Sequence, residues 1–494
     1  MKSSQSSRKR SAKSYFEEIS SFDLFYQLTY MSATAGAGIS RSRVFQLARR
    51  LACPPARYFK EIEELATNLR YNYPDAVRLV GERAKADDLK TFLLRLSDAL
   101  RSGEPLPGFL TREAVVQGDH YANVYETELE SLKKWTDGYT AITVSAALIV
   151  IMNMVSSMIY NVGTGIMALM VMVAVGGTFG VAWIMFRSSP QEVMNVPLAQ
   201  GSKEQRLSRK LFFILMPVTV IACAALMVLK VSMGWVLIVA SLLMFPIGLV
   251  TVIGDGKTNK KDDEISAFLR SVGGTATSRG TTLKEALASM KIDSFPTLEG
   301  DIKMLGLRLS SFGKPDLCWK TFATETGSKL AEQSTGIFTE AVGLGGDPEK
   351  AGALTSMFAM KTAMLRAKRR GVAASFSWLI IVMHAVLAGL MVFLLGILEQ
   401  FAIKLNEAMS SVEGGTDAMG VMGLKNMFAF NTPQIQFLEK ITVGMILMLA
   451  AINAFAIVAS EGSHLIKITL YFAELLVLSG ILLLIGPSLV KLVM

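Results

Sequence analysis

Seven stretches of this chain stay apolar for about 18 to 27 residues at a time, and they limit its fold more than any other feature. They cover residues 140–160, 165–186, 211–229, 234–253, 372–398, 441–458 and 468–489. At 1.5 Å per residue, about 20 helical residues cross the roughly 30 Å hydrocarbon core of a bilayer. In lipid a segment must satisfy its own backbone amides and carbonyls, which a helix does internally. The expected fold is therefore all-α, a polytopic membrane protein with about seven transmembrane helices. Its apolar fraction of 51% is too high for a soluble enzyme.

The spans come in two groups, each preceded by a polar block large enough to be a soluble domain. The second block repeats the first at a shift of about 242 residues. Ala267-Phe268-Leu269 falls on Phe25-Tyr26-Gln27, and residues 275–280 fall on 33–38. With one residue of slippage, Gly346-Asp347-Pro348 falls on Gly103-Glu104-Pro105. The apolar span after Val372 then falls on the one that opens near Thr140. The order is soluble block, membrane, soluble block, membrane.

Both blocks read as helical bundles. Thr282 and Glu285 have the spacing of a capping box. Leu283, Ala286, Leu287 and Met290 follow on one helical face, as do Leu298, Ile302, Leu305 and Leu309. Gly313 and Pro315 end that second helix. After Gly345-Gly346, Asp347 suits an N-cap and Pro348 a first helical position. A stripe of Ala351, Leu354, Phe358, Thr362 and Leu365 continues from there. In the first block Ser40 can cap a helix bearing Val44, Leu47, Ala48 and Leu51, Pro54-Pro55 breaks it, and residues 89–100 and 109–132 supply later helices.

Lysine and arginine set the orientation. With the N-terminus in the cytosol, roughly 45 of the 50 basic residues face inward, Arg187, Lys203, Arg206, Arg209 and Lys210 among them. The layout is then a basic disordered tail (1–21) on anionic headgroups, a first cytosolic helical bundle (22–138) and four transmembrane helices (139–254) with a basic cytosolic loop at 187–210. A second cytosolic bundle (255–371), a transmembrane helix (372–398), an extracytoplasmic loop (399–440) and two more transmembrane helices (441–494) follow. An odd number of crossings of the cytoplasmic membrane leaves the C-terminus outside. The net charge of +9 follows this topology and does not point to nucleic acid.

Few residues suggest chemistry. Cys53, Cys223 and Cys318 lie far apart with no CxxC spacing, and no His-x-x-His or Glu-x-x-His pair offers a metal site. Gly256-Lys257-Thr258 ends like a phosphate-binding loop, but Thr251 stands where its first glycine belongs, so a flexible exit from the membrane is expected. His384 and Glu474 lie within apolar spans, where interhelical hydrogen bonds are the expected use. Gly176-Gly177 suits close helix packing. With no nucleophile–base pair, carboxylate dyad or glycine-rich cofactor loop, the expectation is a protein that is no enzyme and takes no cofactor. The candidate partner-binding residues are the basic cluster Arg366, Lys368, Arg369 and Arg370 with acidic Asp262, Asp263 and Glu264. Such charges can set the orientation of a bound partner.

A twice-repeated cytosolic helical block tied to membrane spans resembles the platform proteins of type IV filament machines, which include the type II secretion F protein and the Tad pilus platforms. Residues 263–270 (DEISAFLR), 281–287 (TTLKEAL), Cys318-Trp319, 325–328 (ETGS), 345–349 (GGDPE) and 365–370 (LRAKRR) are similar to the archaellum platform (archaeal flagellar J) proteins. The similarity is closest over 262–400 and looser over the first block. It implies a homodimer at the base of a filament, with a cytosolic hexameric ATPase docked on the bundles and pilin- or archaellin-like subunits lifted from the bilayer. A pilus or secretion platform is the alternative within that family. A secondary transporter fits less well, because the spans lack paired breaks or polar residues at matching depth.

Overall fold

The computed structural model describes residues 19–159, 164–190, 192–197, 201–311, 313–412 and 432–493. Among them there is no strand, only one isolated bridge between Asn195 and Ser328. The helices are α1 (Ser21–Ala35), α2 (Arg41–Ala48), α3 (Ala56–Asn68), α4 (Tyr73–Arg83), α5 (Asp87–Ser102), α6 (Leu106–Ile159), α7 (Thr164–Ser188) and α8 (Lys203–Val228). They continue as α9 (Met233–Arg279), α10 (Leu283–Ser289), α11 (Glu299–Ser310), α12 (Pro315–Glu325), α13 (Lys329–Gly343), α14 (Pro348–Val412), α15 (Thr432–Glu461) and α16 (Ile468–Val493). Seven of these helical stretches are long and apolar enough to cross a membrane, as the sequence leads one to expect. The chain forms two compact units. One comprises Met1–Thr127, Val193–Ser202 and Lys257–Arg366, and the other comprises Glu128–Glu192, Lys203–Gly256 and Ala367–Met494.

The first unit holds the duplication, and its register is tighter than the sequence suggests. α2 and α10, α4 and α12, α5 and α13, and α6 and α14 each start 242 residues apart. Ser40 and Thr282, also a pair in this register, cap α2 and α10 through the amides of Arg43 and Glu285. The turns agree as well. Gly38 (φ 72°) matches Gly280 (φ 60°), and Gly103 (φ 76°) matches Gly345 (φ 92°), conformations that an L side chain resists. The one-residue slippage expected at Gly103 is therefore absent. The structural partner of Gly103 is Gly345, so Leu106 and Pro348 open equivalent helices.

One contact shows how the repeats meet. Asp119 and Lys361, equivalent positions on α6 and α14, pair with each other at 2.5 Å. A residue that touches its own counterpart lies near a local two-fold axis. Aromatic packing surrounds it, with Phe25 against Phe358 at 5.0 Å and Phe22 against Tyr121 at 5.4 Å between ring centroids.

In the second unit, Ala147, Val150 and Met154 of α6 pack with Ala174 of α7, Met391 and Leu395 of α14 and Ile446 and Leu449 of α15. α9 and α16 approach more closely. A Cβ on Gly234 would lie 3.0 Å from the Gly480 carbonyl oxygen, and one on Gly248 would lie 2.4 Å from the Leu470 Cα. Small residues permit such contacts where lipid gives helices little hydrophobic reason to associate. Gly176 and Gly177, expected at such a contact, have open space instead.

Two further expectations need correction. Residues 254–258 lie inside the unbroken α9, neither a loop nor a flexible exit, because the helical hydrogen-bond ladder runs through both glycines. The stretch 399–440 is helical at both ends, since α14 runs to Val412 and α15 begins at Thr432. Its middle, 413–431, and tail residues 1–18 lie outside the described residues.

Candidate functional site

The seven candidate partner-binding residues separate into buried anchors and exposed charges. In the first unit the Arg366 guanidinium donates to Asp262 Oδ2 at 2.7 Å, with side chains only 2% and 3% exposed. The Ser328 hydroxyl donates to the other Asp262 oxygen, Oδ1. The same hydroxyl accepts from the Ala331 amide at 3.1 Å and caps α13. Gly327, at φ 79°, turns the chain between α12 and α13. A short segment docks on this turn, through Lys329 N to Met194 O at 3.0 Å and Val196 N to Gly327 O at 3.1 Å.

Glu264 also faces inward. Its carboxylate accepts from the Thr297 and Leu298 amides at 3.1 and 3.0 Å, just before α11. A carboxylate there meets the positive end of the helix dipole. Asp263 and Lys368 are exposed, and Arg370 is half-buried. The corresponding positions of the first repeat are Ser20, Ala86 and Val124 for Asp262, Ser328 and Arg366. The buried ionic node thus belongs to the second repeat alone.

Arg369 is fastened separately, within the second unit, and is 1% exposed. Its Nε donates to Ser460 O at 2.9 Å, Nη1 to Pro190 O at 2.7 Å and Nη2 to Ala459 O at 3.2 Å. Ser460 and Ala459 close α15, so a cation sits where carbonyls are unpaired and the dipole is negative. Gly462 makes room for it, with φ 70° and a would-be Cβ only 2.4 Å from Arg369 Cζ. The requirement on Gly462 comes from long-range packing and has no local sequence signal.

Deeper in the second unit a hydrogen-bonded chain links four helices. Tyr139 Oη on α6 donates to Asn453 Oδ1 on α15 at 2.6 Å. Asn453 Nδ2 lies 3.2 Å from His384 Nδ1 on α14, and His384 Nε2 lies 2.9 Å from Ser479 Oγ on α16. Asn453 Nδ2 can only donate, so His384 Nδ1 accepts and the neutral ring carries its proton on Nε2. His384 therefore makes the interhelical bonds expected of it. Glu474 is half-buried and makes no hydrogen bond to a described residue. Tyr139 and Ser479 were not singled out in the sequence, because hydroxyls are common in spans and only their common depth betrays them.

These arrangements hold helices in place. Among the described residues no group of three or more His, Cys, Asp and Glu side chains could hold a metal ion. Cys53, half-buried, donates to Gln27 Oε1 at 3.0 Å, and burial pushes its thiol up to about 12, far from the range of a reactive thiolate.

Comparison with known proteins agrees with the resemblance read from the sequence. The family model described as "Type II secretion system (T2SS), protein F" matches residues 28–154, within the first repeat and its membrane extension. The chain is similar to Flagella accessory protein J of Methanocaldococcus jannaschii, 23% identical over 413 residues, covering 81% of this chain and 72% of the relative. It is also similar to Flagella accessory protein J of Methanococcus voltae, 23% identical over 308 residues, covering 59% of this chain and about half (54%) of the relative. No solved structure matches. The sequence motifs place the likeness chiefly in the second repeat, whereas the family model falls on the first. The exact helical register between the repeats reconciles the two.

Proposed function

We propose that this chain is the membrane platform of a type IV filament machine, an archaellum in the first instance, and that it couples a cytosolic hexameric ATPase to assembly of pilin- or archaellin-like subunits. One observation carries the reading. The helix that closes each repeat, α6 in one and α14 in the other, starts at an equivalent position and runs without interruption into a membrane-spanning stretch. α14 alone has 65 residues, a contour of about 100 Å at 1.5 Å per residue. Within one turn of it, Arg366 is tied to Asp262 and Arg369 to the end of α15. Each tie fixes the helix within its own unit.

In this reading the repeats are cytosolic, the spans lie in the cytoplasmic membrane, and the C-terminus is extracytoplasmic. The chain works as a homodimer, its basic residues resting on anionic lipid, and it performs no catalysis itself. The ATPase meets the exposed charges Asp263 and Lys368 and the half-buried Arg370, while Asp262, Glu264, Arg366 and Arg369 shape the helices that present them. A pilus or type II secretion platform is the same machine with different subunits, and the match to protein F supports that neighbouring reading.

The test is co-purification of the full chain with a hexameric ATPase encoded by the same organism. Asp263→Lys with Lys368→Glu should release the ATPase and abolish filaments while the protein keeps its level and melting temperature. Retention of the ATPase by that variant removes the charges as a docking site. Normal filaments in a deletion strain remove the platform reading itself.

A further inference from the structure

The two repeats share a fold but differ in one cleft. In the first, α4 and α5 are closely packed. A Cβ on Gly81 would sit 3.0 Å from Leu93 Cβ, and Leu93 is fully buried. In the second, the equivalents of Leu93, Leu94 and Arg101 are Thr335, Gly336 and Gly343. Three side chains are thereby cut back, and a Cβ on Gly336 or Gly343 would meet nothing within 4 Å. A cleft of about 530 Å³ opens between α12 and α13, within the span of roughly 300–1,000 Å³ typical of binding sites.

Its chemistry is directional. Glu332, Thr335, Gly336, Thr339, Glu340 and Gly343 line one continuous face of α13, three turns long. Trp319 of α12 forms an apolar wall, and Asp316 and Lys320 stand on the rim. Three carboxylates therefore stand against two ammoniums, that of Lys320 and that of Lys329, which pairs with Glu332 at 2.7 Å. Thr335, 1% exposed, lines the cleft, and its buried hydroxyl has no hydrogen-bond partner among the described residues. A buried hydroxyl left unpaired is costly, and it marks where a ligand group belongs. Glu340 lies close enough to the Tyr30 phenol to help burial hold that hydroxyl well above its usual pKa.

We infer that this cleft receives a basic amphipathic helix from a soluble partner protein. A trough three turns long with a glycine floor fits a helix laid along α13, where small residues let two backbones approach. Lysine or arginine on its polar edge meets Glu340 and Asp316 and competes with Lys329 for Glu332. An aliphatic stem covers Trp319. The Thr335 hydroxyl completes its bonding on a side chain of the incoming helix. The first repeat carries Leu93, Leu94 and Arg101 at the equivalent positions, so two-fold related partners do not meet equivalent surfaces. This inference does not rest on the platform reading, whose test is ATPase co-purification.

The experiment uses the full chain in zwitterionic nanodiscs and fluorescence anisotropy of three 18-residue probes: a Lys/Leu amphipathic helix, its Glu/Leu counterpart and a scrambled Lys/Leu peptide. Empty nanodiscs supply the background. The Lys/Leu helix should bind at least tenfold more tightly than either other probe. Thr335→Leu with Gly336→Leu restores the residues of the first repeat, leaves the helix sound and should weaken binding at least tenfold. Glu332→Gln with Glu340→Gln lies on the rim, serves should the first pair fail to fold, and should do the same at low salt. Equal binding by wild type and a folded filled-cleft variant, equal binding of the Glu/Leu helix, or no binding above empty nanodiscs overturns the inference.

Discussion

Removing Arg366 should be among the most damaging single changes in the first unit. Arg366→Met strips Asp262, 3% exposed at its side chain, of its guanidinium partner. Breaking a buried pair from one side costs about 3–5 kcal/mol, since the remaining charge is left in low dielectric. Asp262→Leu should cost a similar amount from the other side. The double variant strands neither member of this pair. It loses the Ser328 acceptor, worth about 1 kcal/mol, and gains well-packed apolar volume, so it should lie within about 1 kcal/mol of the parent. The coupling energy is then roughly 5 kcal/mol or more. Cys318 on α12, 6% exposed, reports on opening of this unit. In a Cys53→Ala, Cys223→Ala background, thiol labelling of the full chain against urea gives the four corners of the cycle. Single variants that each cost under about 1 kcal/mol, as exposed pairs do, or effects that simply add, would refute the reasoning.

Three other outcomes follow from the second unit and the first repeat. Gly462→Ala places a methyl 2.4 Å from Arg369 Cζ at φ 70°; it should cost about 1–2 kcal/mol from backbone strain alone and more through the displaced guanidinium, seen as a lower melting temperature and faster proteolysis after Glu461. His384→Leu removes both of that ring's interhelical bonds and should cost about 1–2 kcal/mol in an SDS-unfolding titration, while Ser479→Ala alone should cost less. Cys53, its thiol pushed up to about 12 by burial, should react with iodoacetamide at a rate that climbs tenfold per pH unit from pH 8 to pH 10. An exposed thiol, with a pKa of about 8.5, levels off over that range, and mass spectrometry of the labelled peptide tells the two apart.

The motifs legible in the sequence were those whose physics is local. Thr282, Ser40 and Asp347 cap helices where expected, because an N-cap bonds an amide only two or three residues on. Of the stripe Ala351, Leu354, Phe358, Thr362 and Leu365, all are buried but the half-buried Leu354, because helical periodicity sets which side chains share a face. The candidate charges were legible as a cluster but not as a site. Arg366 and Arg369 stand three residues apart, on neighbouring turns, yet each is held by residues about 90 to 180 positions away, which no local pattern encodes. The cleft beside Trp319 was invisible for a different reason. It appears only when position 93 is set against 335 and 94 against 336, and that register needs the structure.

The sequence alone determined that this chain is a helical membrane protein built from two copies of one bundle, since apolar length and internal repetition survive without any knowledge of contacts. Tertiary structure alone decided which charges are anchors and which are accessible, which glycines admit a neighbouring helix, and where one repeat was hollowed. Burial and close approach depend on what distant segments bring to a residue, and a linear pattern carries no record of that.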